Sequence, residues 1–315
     1  MHANGYLVVI ISNQSGVSKG TTNVNDITGK IEDMSKELGF DLSAMVACNH
    51  DVNRKPSVGM WKHLVGAAAH DGIATSDSWY CGDAAGRHKA WDGNKKTKKD
   101  FACSDRMFAA NVGIKFYTPE EFFLGVPTTD KWSWGSVDPR SLMLAVPKPQ
   151  IEVSPLKREL LLMVGCPASG KTTWSKRFAS SGDYVRVCND EVGNKKKAQH
   201  LAMEALRNNK SVIVDNTNPS AETRKEWIDL AKSVGVSAIR CVHVQTDRAV
   251  AEHLNVFRSV VSTRVRVPDI AFNIYFSHFK APSVDEGFNA IVTVSFVLEP
   301  FNDRETEELF MQWTC

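Results

Sequence analysis

The chain has 315 residues, enough for two domains with separate hydrophobic cores, because single cores stop growing at about 250–300 residues. Hydrophobic residues make up 43% of the sequence and charged residues 23%, as is typical of a globular protein. No apolar run approaches the roughly 20 residues that a membrane-spanning helix needs, so we expect no such helix. The net charge of +2 does not by itself indicate nucleic-acid binding.

The spacing of the cysteines and the first residues of the chain predict the cellular compartment of the protein. The seven cysteines lie far apart and form no Cys-x-x-Cys pair. The first residues show no basic segment followed by an apolar segment and a cleavage site, so we expect no secretory signal. Both features favour a reducing compartment, the cytosol or the nucleus, over secretion.

The first 124 residues alternate short apolar runs with helical patterns, which is typical of repeated βα units and predicts a parallel sheet. The apolar runs cover residues 6–11, 45–48, 79–81 and 112–117, and the helical patterns include 26–38 and 59–70. Within this part, the run KKTKK at 95–99 lies between Trp91 and Phe101. The run could contact a phosphate backbone, act as a nuclear-import signal or be a solvated loop.

A linker and a second α/β domain are predicted after residue 124. Prolines, glycines, serines and aspartates are scattered through residues 125–154, which argues against regular structure there. Alternation then resumes, so we predict a second domain over residues 155–315. Its predicted strands cover residues 160–164, 184–188, 211–214, 239–244 and 291–298, with a helix from about residue 172.

A phosphate-binding loop is predicted between the first strand and the first helix of the second domain. Its pattern is Gly165-x-x-x-x-Gly170-Lys171-Thr172, followed by Thr173. The glycines allow backbone N–H groups to surround the phosphates of a nucleotide. Lys171 can reach the outer phosphates, the Thr172 hydroxyl can ligate Mg²⁺, and the helix N-terminus adds partial positive charge.

Two carboxylates follow neighbouring strands of the second domain, where open α/β sheets bind their ligands. Asp190 ends one strand and could accept a proton from an attacking hydroxyl, or could be a helix N-cap. Asp215 ends the next strand and could hold Mg²⁺ or its water shell, or could form an Asx-turn.

Three arginines near the predicted helix at residues 247–259 could neutralise a transferring phosphoryl group. They are Arg258, Arg264 and Arg266. Arginine counters the charge that spreads over the phosphoryl oxygens, although each of the three could instead be a surface residue.

Polar residues also follow three apolar runs of the first domain. Ser12, Lys55 and Asp83 could respectively hold a phosphate, neutralise it and bind Mg²⁺. As an ordered set they resemble the second, third and fourth motifs of haloacid-dehalogenase-type phosphatases. Together with the phosphate loop, they make the chain resemble the polynucleotide kinase 3′-phosphatase family of DNA end-repair enzymes. The stretches that carry the resemblance are GYLVVIISNQSGV, RKPSVGMWKHL, WYCGDAAGR, KKDFACSDRMFAANVGIKFYTPEEFF, VGCPASGKTTW, VIVDNTNPSAETR and FKAPSVDEGFNAI.

The resemblance implies a fold for each part of the chain. Residues 1–124 would form an incomplete haloacid-dehalogenase-like parallel sheet, residues 125–154 a linker, and residues 155–315 a P-loop kinase domain. The implied cofactors are ATP and Mg²⁺. The implied partners are DNA ends with a 5′-hydroxyl or a 3′-phosphate, and repair-scaffold proteins through a further N-terminal domain. The implied location is the nucleus, with the cytoplasm or the mitochondrion as alternatives.

The resemblance also implies roles for single residues. Asp190 matches the acid that activates the 5′-hydroxyl, and Arg258 matches an arginine that contacts phosphate. The loop residues match ATP ligands; they are Gly165, Gly170, Lys171, Thr172 and Thr173. Thr172 in the kinase and Asp83 in the phosphatase match metal ligands, and Ser12 and Lys55 match phosphate ligands.

The sequence departs from the family pattern in two places. These phosphatases use a nucleophilic aspartate in an Asp-x-Asp-Gly-Thr segment, and no Asp-x-Asp occurs in this sequence. We therefore expect no 3′-phosphatase activity and a missing first strand, which would weaken the sheet. The family commonly has Asn-Arg-Asp where this sequence has Cys188-Asn189-Asp190, so a cation near the acceptor is expected to be missing.

The sequence therefore predicts an enzyme that transfers the γ-phosphoryl group of ATP to a 5′-hydroxyl of DNA, and of RNA as a further substrate. Two alternatives stay open. One is a P-loop kinase of a small metabolite, and the other is a non-catalytic remnant that binds DNA ends.

Overall fold

The computed structural model describes residues 1–67, 72–127, 129–144, 158–180 and 184–314. The chain divides into two compact units, Met1–Pro139 with Asp303–Cys315, and Arg140–Asn302. Both contain helices and parallel strands, so the predicted α/β class is confirmed. No helix among the described residues combines the length and apolar character needed to cross a bilayer.

The first unit contains two separate pairs of parallel strands, β1 with β2 and β3 with β4. The strands are β1 (Val9–Asn13), β2 (Ser43–Ala47), β3 (Trp79–Cys81) and β4 (Lys115–Tyr117). The helices are α1 (Ser15–Ser18), α2 (Val24–Leu38), α3 (Gly59–Gly66), α4 (Ser104–Val112) and α5 (Pro119–Leu124), with α6 (Pro139–Leu144) at the boundary of the units. The predicted helix at 59–70 runs into residues 68–71, which lie outside the described residues.

The core of the first unit is small, and local signals set its helix ends. Ile11, Met60 and Phe108 are buried in one cluster, which joins a strand and two helices. Helix α5 begins with a capping box, in which the Thr118 hydroxyl accepts from the Glu121 N–H and the Glu121 carboxylate accepts from the Thr118 N–H.

The second unit is built on one five-stranded parallel sheet with the strand order β6-β7-β5-β8-β9. The strands are β5 (Glu159–Val164), β6 (Tyr184–Val187), β7 (Ser211–Val214), β8 (Ala238–Gln245) and β9 (Ala290–Ser295). The helices are α7 (Lys171–Ser180), α8 (Asn189–Val192), α9 (Lys195–Arg207), α10 (Ala221–Ser233), α11 (Arg248–Val261) and α12 (Asp269–His278).

The central strand β5 is buried along its whole length. Side chains alternate between the two faces of a strand, and both faces of a parallel sheet are covered, so such a strand is apolar throughout. Leu160 lies in the same cluster as Trp227, and Leu161 lies in the cluster of Trp174 on the other face. The phosphate loop and both predicted carboxylates follow β5, β6 and β7, at the edge where parallel strands end.

The predicted domain boundaries differ from the structure at two points. The last helix, α13 (Arg304–Phe310), belongs to the first unit, whereas the sequence placed all residues after 154 in the second domain. Trp313 stacks on Trp134, and its backbone exchanges hydrogen bonds with the Asn111 side chain, which explains the assignment of this segment.

The predicted linker at 125–154 also contains packed structure. Trp134 lies inside this range, and the neighbouring Trp132 forms an antiparallel bridge with Arg87. The scattered prolines predicted irregular backbone, but aromatic side chains hold that backbone on the first unit. Residues 145–154 of the predicted linker lie outside the described residues.

Candidate active site

The phosphate loop of the second unit has backbone features that favour its two glycines. A Cβ atom at Gly165 would lie 2.7 Å from the Ser169 Oγ and 2.8 Å from the Val244 carbonyl oxygen. Gly170 has a φ of 94°, which side chains of L-residues rarely adopt. Helix α7 begins at the next residue, Lys171, so the N–H groups of its first turn are available for phosphate oxygens.

Lys171 is buried in the loop and has only neutral hydrogen-bond partners. Its Nζ donates to the Cys166 carbonyl oxygen at 2.6 Å and to the Ser169 Oγ at 3.4 Å. Burial lowers the pKa of Lys171 from 10.5 to about 8. An anion beside the ammonium would counter this loss of hydration, so the site favours a bound phosphate.

A cavity of about 830 Å³ connects the loop with most of the predicted site residues. The predicted residues that line it are Gly170, Lys171, Thr172, Thr173, Asp190, Asp215, Arg258 and Arg264. Gly165 supports the loop from beneath rather than lining the cavity, and Arg266 lies 4.0 Å from Asp269 instead. The cavity has room for a nucleotide together with an acceptor group.

Asp190 lies exposed in the short helix α8. No hydrogen bond among the described residues ends on its carboxylate. The alternative of an N-cap is wrong, because Cys188 is the N-cap of α8 and Asn194 is the N-cap of α9. The carboxylate therefore lines the cavity without a structural partner in the described part of the chain.

Asp215 is buried and has several partners. Its Oδ2 accepts from the Ser175 hydroxyl at 2.9 Å and from Arg186, at 2.9 Å from Nε and 2.6 Å from Nη2. Its backbone N–H donates to the Val187 carbonyl. The alternative of an Asx-turn is therefore wrong. Arg186 was not predicted as a site residue, because an arginine within a strand carries no sequence signal of its own.

Arg258 is held at the cavity by a neighbour on the same helix. Its Nη2 donates to the Asn255 Oδ1 at 3.1 Å, and its buried Nε has no hydrogen-bond partner among the described residues. Asn255 also bonds the backbone N–H and carbonyl of Val267, which ties the segment with Arg264 to α11. Burial, and then the charge of Arg264, lower the pKa of Arg258. An unpaired N–H on a desolvated arginine favours an anionic ligand.

Two side-chain atoms near Asp190 are also buried without a partner in the described part of the chain. They are the Oδ1 of Asn189 and the Nδ2 of Asn216, and both residues line the cavity. The Asn216 Oδ1 accepts from the Asn189 backbone N–H at 2.9 Å. Since buried polar atoms are normally satisfied, these two indicate a polar ligand at this end of the cavity.

In the first unit, the predicted Lys55 is buried and all three of its donors are used. Its Nζ lies 2.8 Å from the Ile11 carbonyl oxygen, 2.6 Å from the Tyr80 hydroxyl and 2.7 Å from Asp105 Oδ1. Asp105 was not singled out from the sequence, although it lies in a stretch that carries the resemblance. Burial, and then the charge of Asp105, raise the pKa of Tyr80.

The other two predicted phosphatase residues are more accessible than Lys55. The Ser12 hydroxyl accepts from the Gln14 Nε2 at 2.9 Å. Asp83 is exposed, and no ion pair among the described residues involves it. The three predicted residues thus lie in one unit, but Lys55 is paired with protein groups only.

Both parts of the chain are similar to known proteins. The family model "Polynucleotide kinase 3 phosphatase" matches residues 1–123, and the model "AAA domain" matches residues 160–282. A bifunctional polynucleotide phosphatase/kinase of Schizosaccharomyces pombe is 35% identical over 301 residues, covering 94% of this chain and 70% of that protein. A putative bifunctional polynucleotide phosphatase/kinase of Acanthamoeba polyphaga mimivirus is 32% identical, covering 99% of this chain and 80% of that protein.

A third relative matches a smaller share of the chain. Polynucleotide 3′-phosphatase ZDP of Arabidopsis thaliana is 31% identical over 145 residues, covering 41% of this chain and 19% of that protein. The two longer matches extend through both units and most of each relative. The chain therefore belongs to the bifunctional polynucleotide phosphatase/kinase family.

Proposed function

We propose that the second unit transfers the γ-phosphoryl group of ATP to the 5′-hydroxyl of a DNA or RNA end, in strand-break repair. The observation that carries this proposal is the single cavity that Lys171, Asp190 and Arg258 line together. Phosphoryl transfer depends mostly on positioning and charge neutralisation, and this cavity is lined by these two cations and by a carboxylate in the helix that follows β6.

Asp190 is the general base in this proposal. Its carboxylate is exposed and unpaired within the described residues, so it can accept the proton of the attacking hydroxyl. Asn189 precedes Asp190 in the chain, and Asn216 accepts from the Asn189 backbone N–H. Each of these two asparagines has one buried amide atom without a partner among the described residues. We assign them to the terminal nucleotide of the acceptor.

Lys171 and Arg258 bind the phosphates. Burial lowers the pKa of both, and a phosphate oxygen can replace the carbonyl partner of Lys171. These cations act where negative charge accumulates as the phosphoryl group moves. Arg264 adds a further charge at the rim of the cavity.

Mg²⁺ fits the oxygen atoms that remain in the cavity. The Thr172 hydroxyl lines it, and no hydrogen bond among the described residues involves this hydroxyl. Hard oxygen donors suit Mg²⁺, which usually takes few protein ligands in addition to phosphates. We assign Thr172 as its protein ligand, and the bound ion would neutralise phosphate charge. In the first unit, we assign the exposed carboxylate of Asp83 as the candidate ligand for a Mg²⁺ ion.

Transfer of labelled phosphate from ATP to a 5′-hydroxyl oligonucleotide tests the kinase proposal. We expect Lys171→Ala and Asp190→Ala each to lower the rate about 1000-fold, since each removes a group that acts on the reacting atoms. An unchanged rate in either variant would remove that residue from the mechanism. Single-stranded DNA should compete with the substrate, and transfer to a small metabolite without such competition would favour the alternative kinase.

We further propose that this 315-residue chain has no 3′-phosphatase activity. Support comes from the lack of an Asp-x-Asp in its sequence and from Lys55, whose donors are all taken by protein groups. Without a carboxylate nucleophile, no phospho-aspartyl intermediate forms. Release of phosphate from a 3′-phosphorylated oligonucleotide at a rate that Lys55→Met abolishes would contradict this proposal.

A nuclear location is part of the same proposal. The exposed lysines of residues 95–99 support it, since such runs serve as import signals. A fluorescent fusion that stays outside the nucleus, with or without substitution of these lysines, would contradict it.

A further inference from the structure

Arg186 lies four residues before the proposed base and reaches into the same cavity. It is on strand β6, and its side chain is only 14% exposed. The sequence led us to expect that a cation near the acceptor is missing, because Asn189 stands where an arginine is common in the family. Arg186 places a guanidinium at that side of the cavity from a different position in the chain.

The guanidinium joins three separate elements. Its Nε lies 3.1 Å from the Ser175 Oγ on α7, and Nε and Nη2 lie 2.9 and 2.6 Å from the Asp215 Oδ2 after β7. Its Nη1 lies 2.9 and 2.8 Å from the two carboxylate oxygens of Glu191 on α8. A planar guanidinium is suited to such a fork, whereas a lysine ammonium is not.

The contact of Arg186 with Glu191 affects the position of the proposed base, because Asp190 directly precedes Glu191 in α8. Helix α8 has only four residues, so its own hydrogen bonds cannot fix its position. The Arg186–Glu191 pair and the bond from the Asn189 N–H to Asn216 hold the helix against the sheet. Glu191 is 57% exposed, so this ion pair contributes little to stability and acts mainly on position.

The contact with Asp215 fixes a second carboxylate of the cavity. Every side-chain hydrogen bond that the described residues give Asp215 ends on Oδ2, which leaves Oδ1 as its remaining acceptor. Arg186 also neutralises two carboxylates that would otherwise repel the phosphates of both substrates. The cavity then keeps Lys171, Arg258 and Arg264 as cations toward those phosphates.

We propose that Arg186 is a positioning residue of the kinase reaction, which holds α8, and with it Asp190, at the end of the sheet through Glu191 and Asp215. This inference rests on the proposed kinase function. It assigns Arg186 no contact with the reacting atoms, and its effect therefore falls on turnover rather than on binding of ATP.

The test compares turnover and ATP affinity in Arg186→Ala, Arg186→Lys and Glu191→Gln. A displacement of the base by about 1 Å can lower a rate about 100-fold, so we expect that loss of kcat for Arg186→Ala and a Kd for ATP within threefold of the parent. For Arg186→Lys, which keeps the charge but not the fork, we expect about a 10-fold loss of kcat. Glu191→Gln should lower kcat about threefold. The double variant of Glu191→Gln with Arg186→Ala should have the same kcat as Arg186→Ala alone.

The matched control is Arg240→Ala, which breaks another buried ion pair of the same sheet. Arg240 pairs with the buried Glu159 at 2.6 Å, and neither residue lines the cavity. This variant should lower the melting temperature as Arg186→Ala does but keep the parent kcat below that temperature. Equal kcat values in these two variants would overturn the inference.

Two further outcomes bear on the inference even if Arg186→Ala does not fold. A parent kcat in Arg186→Lys would show that only charge matters and would overturn the positioning role. Additive losses in the double variant of Arg186→Lys with Glu191→Gln would overturn the coupling through Glu191. If the parent chain itself transfers no phosphate, the proposed function is wrong. If the parent transfers phosphate and the variants keep its kcat, only this inference is wrong.

Discussion

Among the described residues, each of the two units buries one lysine in the part of the chain that follows a strand, but the surroundings of the two lysines differ. Lys171 in the second unit donates to a carbonyl and a hydroxyl, and it lines a cavity. Lys55 in the first unit pairs with the carboxylate of Asp105 and two further oxygens. A phosphate can displace neutral partners from a lysine, but it must compete with an ion pair. Of these two lysines, Lys171 is therefore the one whose partners a phosphate can displace more easily.

The sheets of the two units also differ, in how many strands they join. The second unit has one continuous sheet with β5 buried at its centre, and both faces carry large apolar clusters. The described part of the first unit has two strand pairs, linked in part by the Tyr80 hydroxyl, which donates to the Ile11 carbonyl oxygen at 3.0 Å. The apolar core of the described first unit is therefore smaller than that of the second.

The largest effect on stability is expected from Trp227→Ala in the second unit. Trp227 is 1% exposed and lies in the main cluster, so truncation leaves a large cavity. We expect a loss of about 5 kcal/mol, at the upper end for large aromatic residues. Hydrogen exchange of β5 amides measures it, and amides of β1 serve as the control. A loss below about 2 kcal/mol would mean that the apolar core does not dominate this unit.

Lys55→Met should destabilise the first unit by about 4 kcal/mol, because it leaves the buried Asp105 without its cation. The double variant with Asp105→Asn should recover more than half of this loss, since no unpaired charge then remains. Chemical denaturation with hydrogen exchange of β1 measures both. The expected kinase rate equals that of the parent. If Lys55→Met lowered the kinase rate and left the stability of the first unit unchanged, Lys55 would act in the kinase reaction and not in the stability of its unit. That result would contradict the prediction.

The sequence predicted those parts of the site that depend on a local pattern. The phosphate loop follows from glycine and lysine spacing, and the strand 79–81 was predicted with the bounds of β3. Arg186 could not be predicted, because its role depends on where two other chain segments end. The cation expected to be missing at Asn189 stays a prediction about that position, whereas Arg186 on β6 lines the same cavity with its guanidinium bonded to Asp215.

The sequence also failed where distant segments pack together. The tryptophans of the predicted linker and Trp313 lie far apart in the chain, and no periodicity relates them. Their stacking at 4.3 Å moves residues 303–315 to the first unit. Only a tertiary contact could show this.

Trp313→Ala tests that assignment. Trp313 is 5% exposed and stacks on Trp134, in a smaller cluster than that of Trp227. We expect a loss of about 3 kcal/mol in the first unit, at the lower end for buried aromatic residues. Hydrogen exchange should rise in α4, while β5 keeps its protection. Helix α4 contacts this segment through the Asn111 side chain, which donates to the Trp313 carbonyl oxygen and accepts from the Trp313 N–H. Faster exchange in β5 instead of α4 would contradict the division of the chain.

The smallest expected effect is a pH dependence of ATP binding through Lys171. Lys171 has a pKa of about 8, so above that pH the free protein must take up a proton before phosphate binds to an ammonium. ATP affinity should therefore fall about fivefold between pH 8 and pH 9, because the protonated fraction of Lys171 falls from about one half to about one tenth. The stability of the free protein should instead rise between pH 8 and 10.5, because the unfolded lysine still holds its proton there and the folded one does not. Calorimetric titration of ATP measures the affinity, and Lys171→Met should abolish the decline. If the affinity of the parent for ATP stayed constant up to pH 9, Lys171 would not lose its proton in the free protein over this range. That result would contradict the prediction.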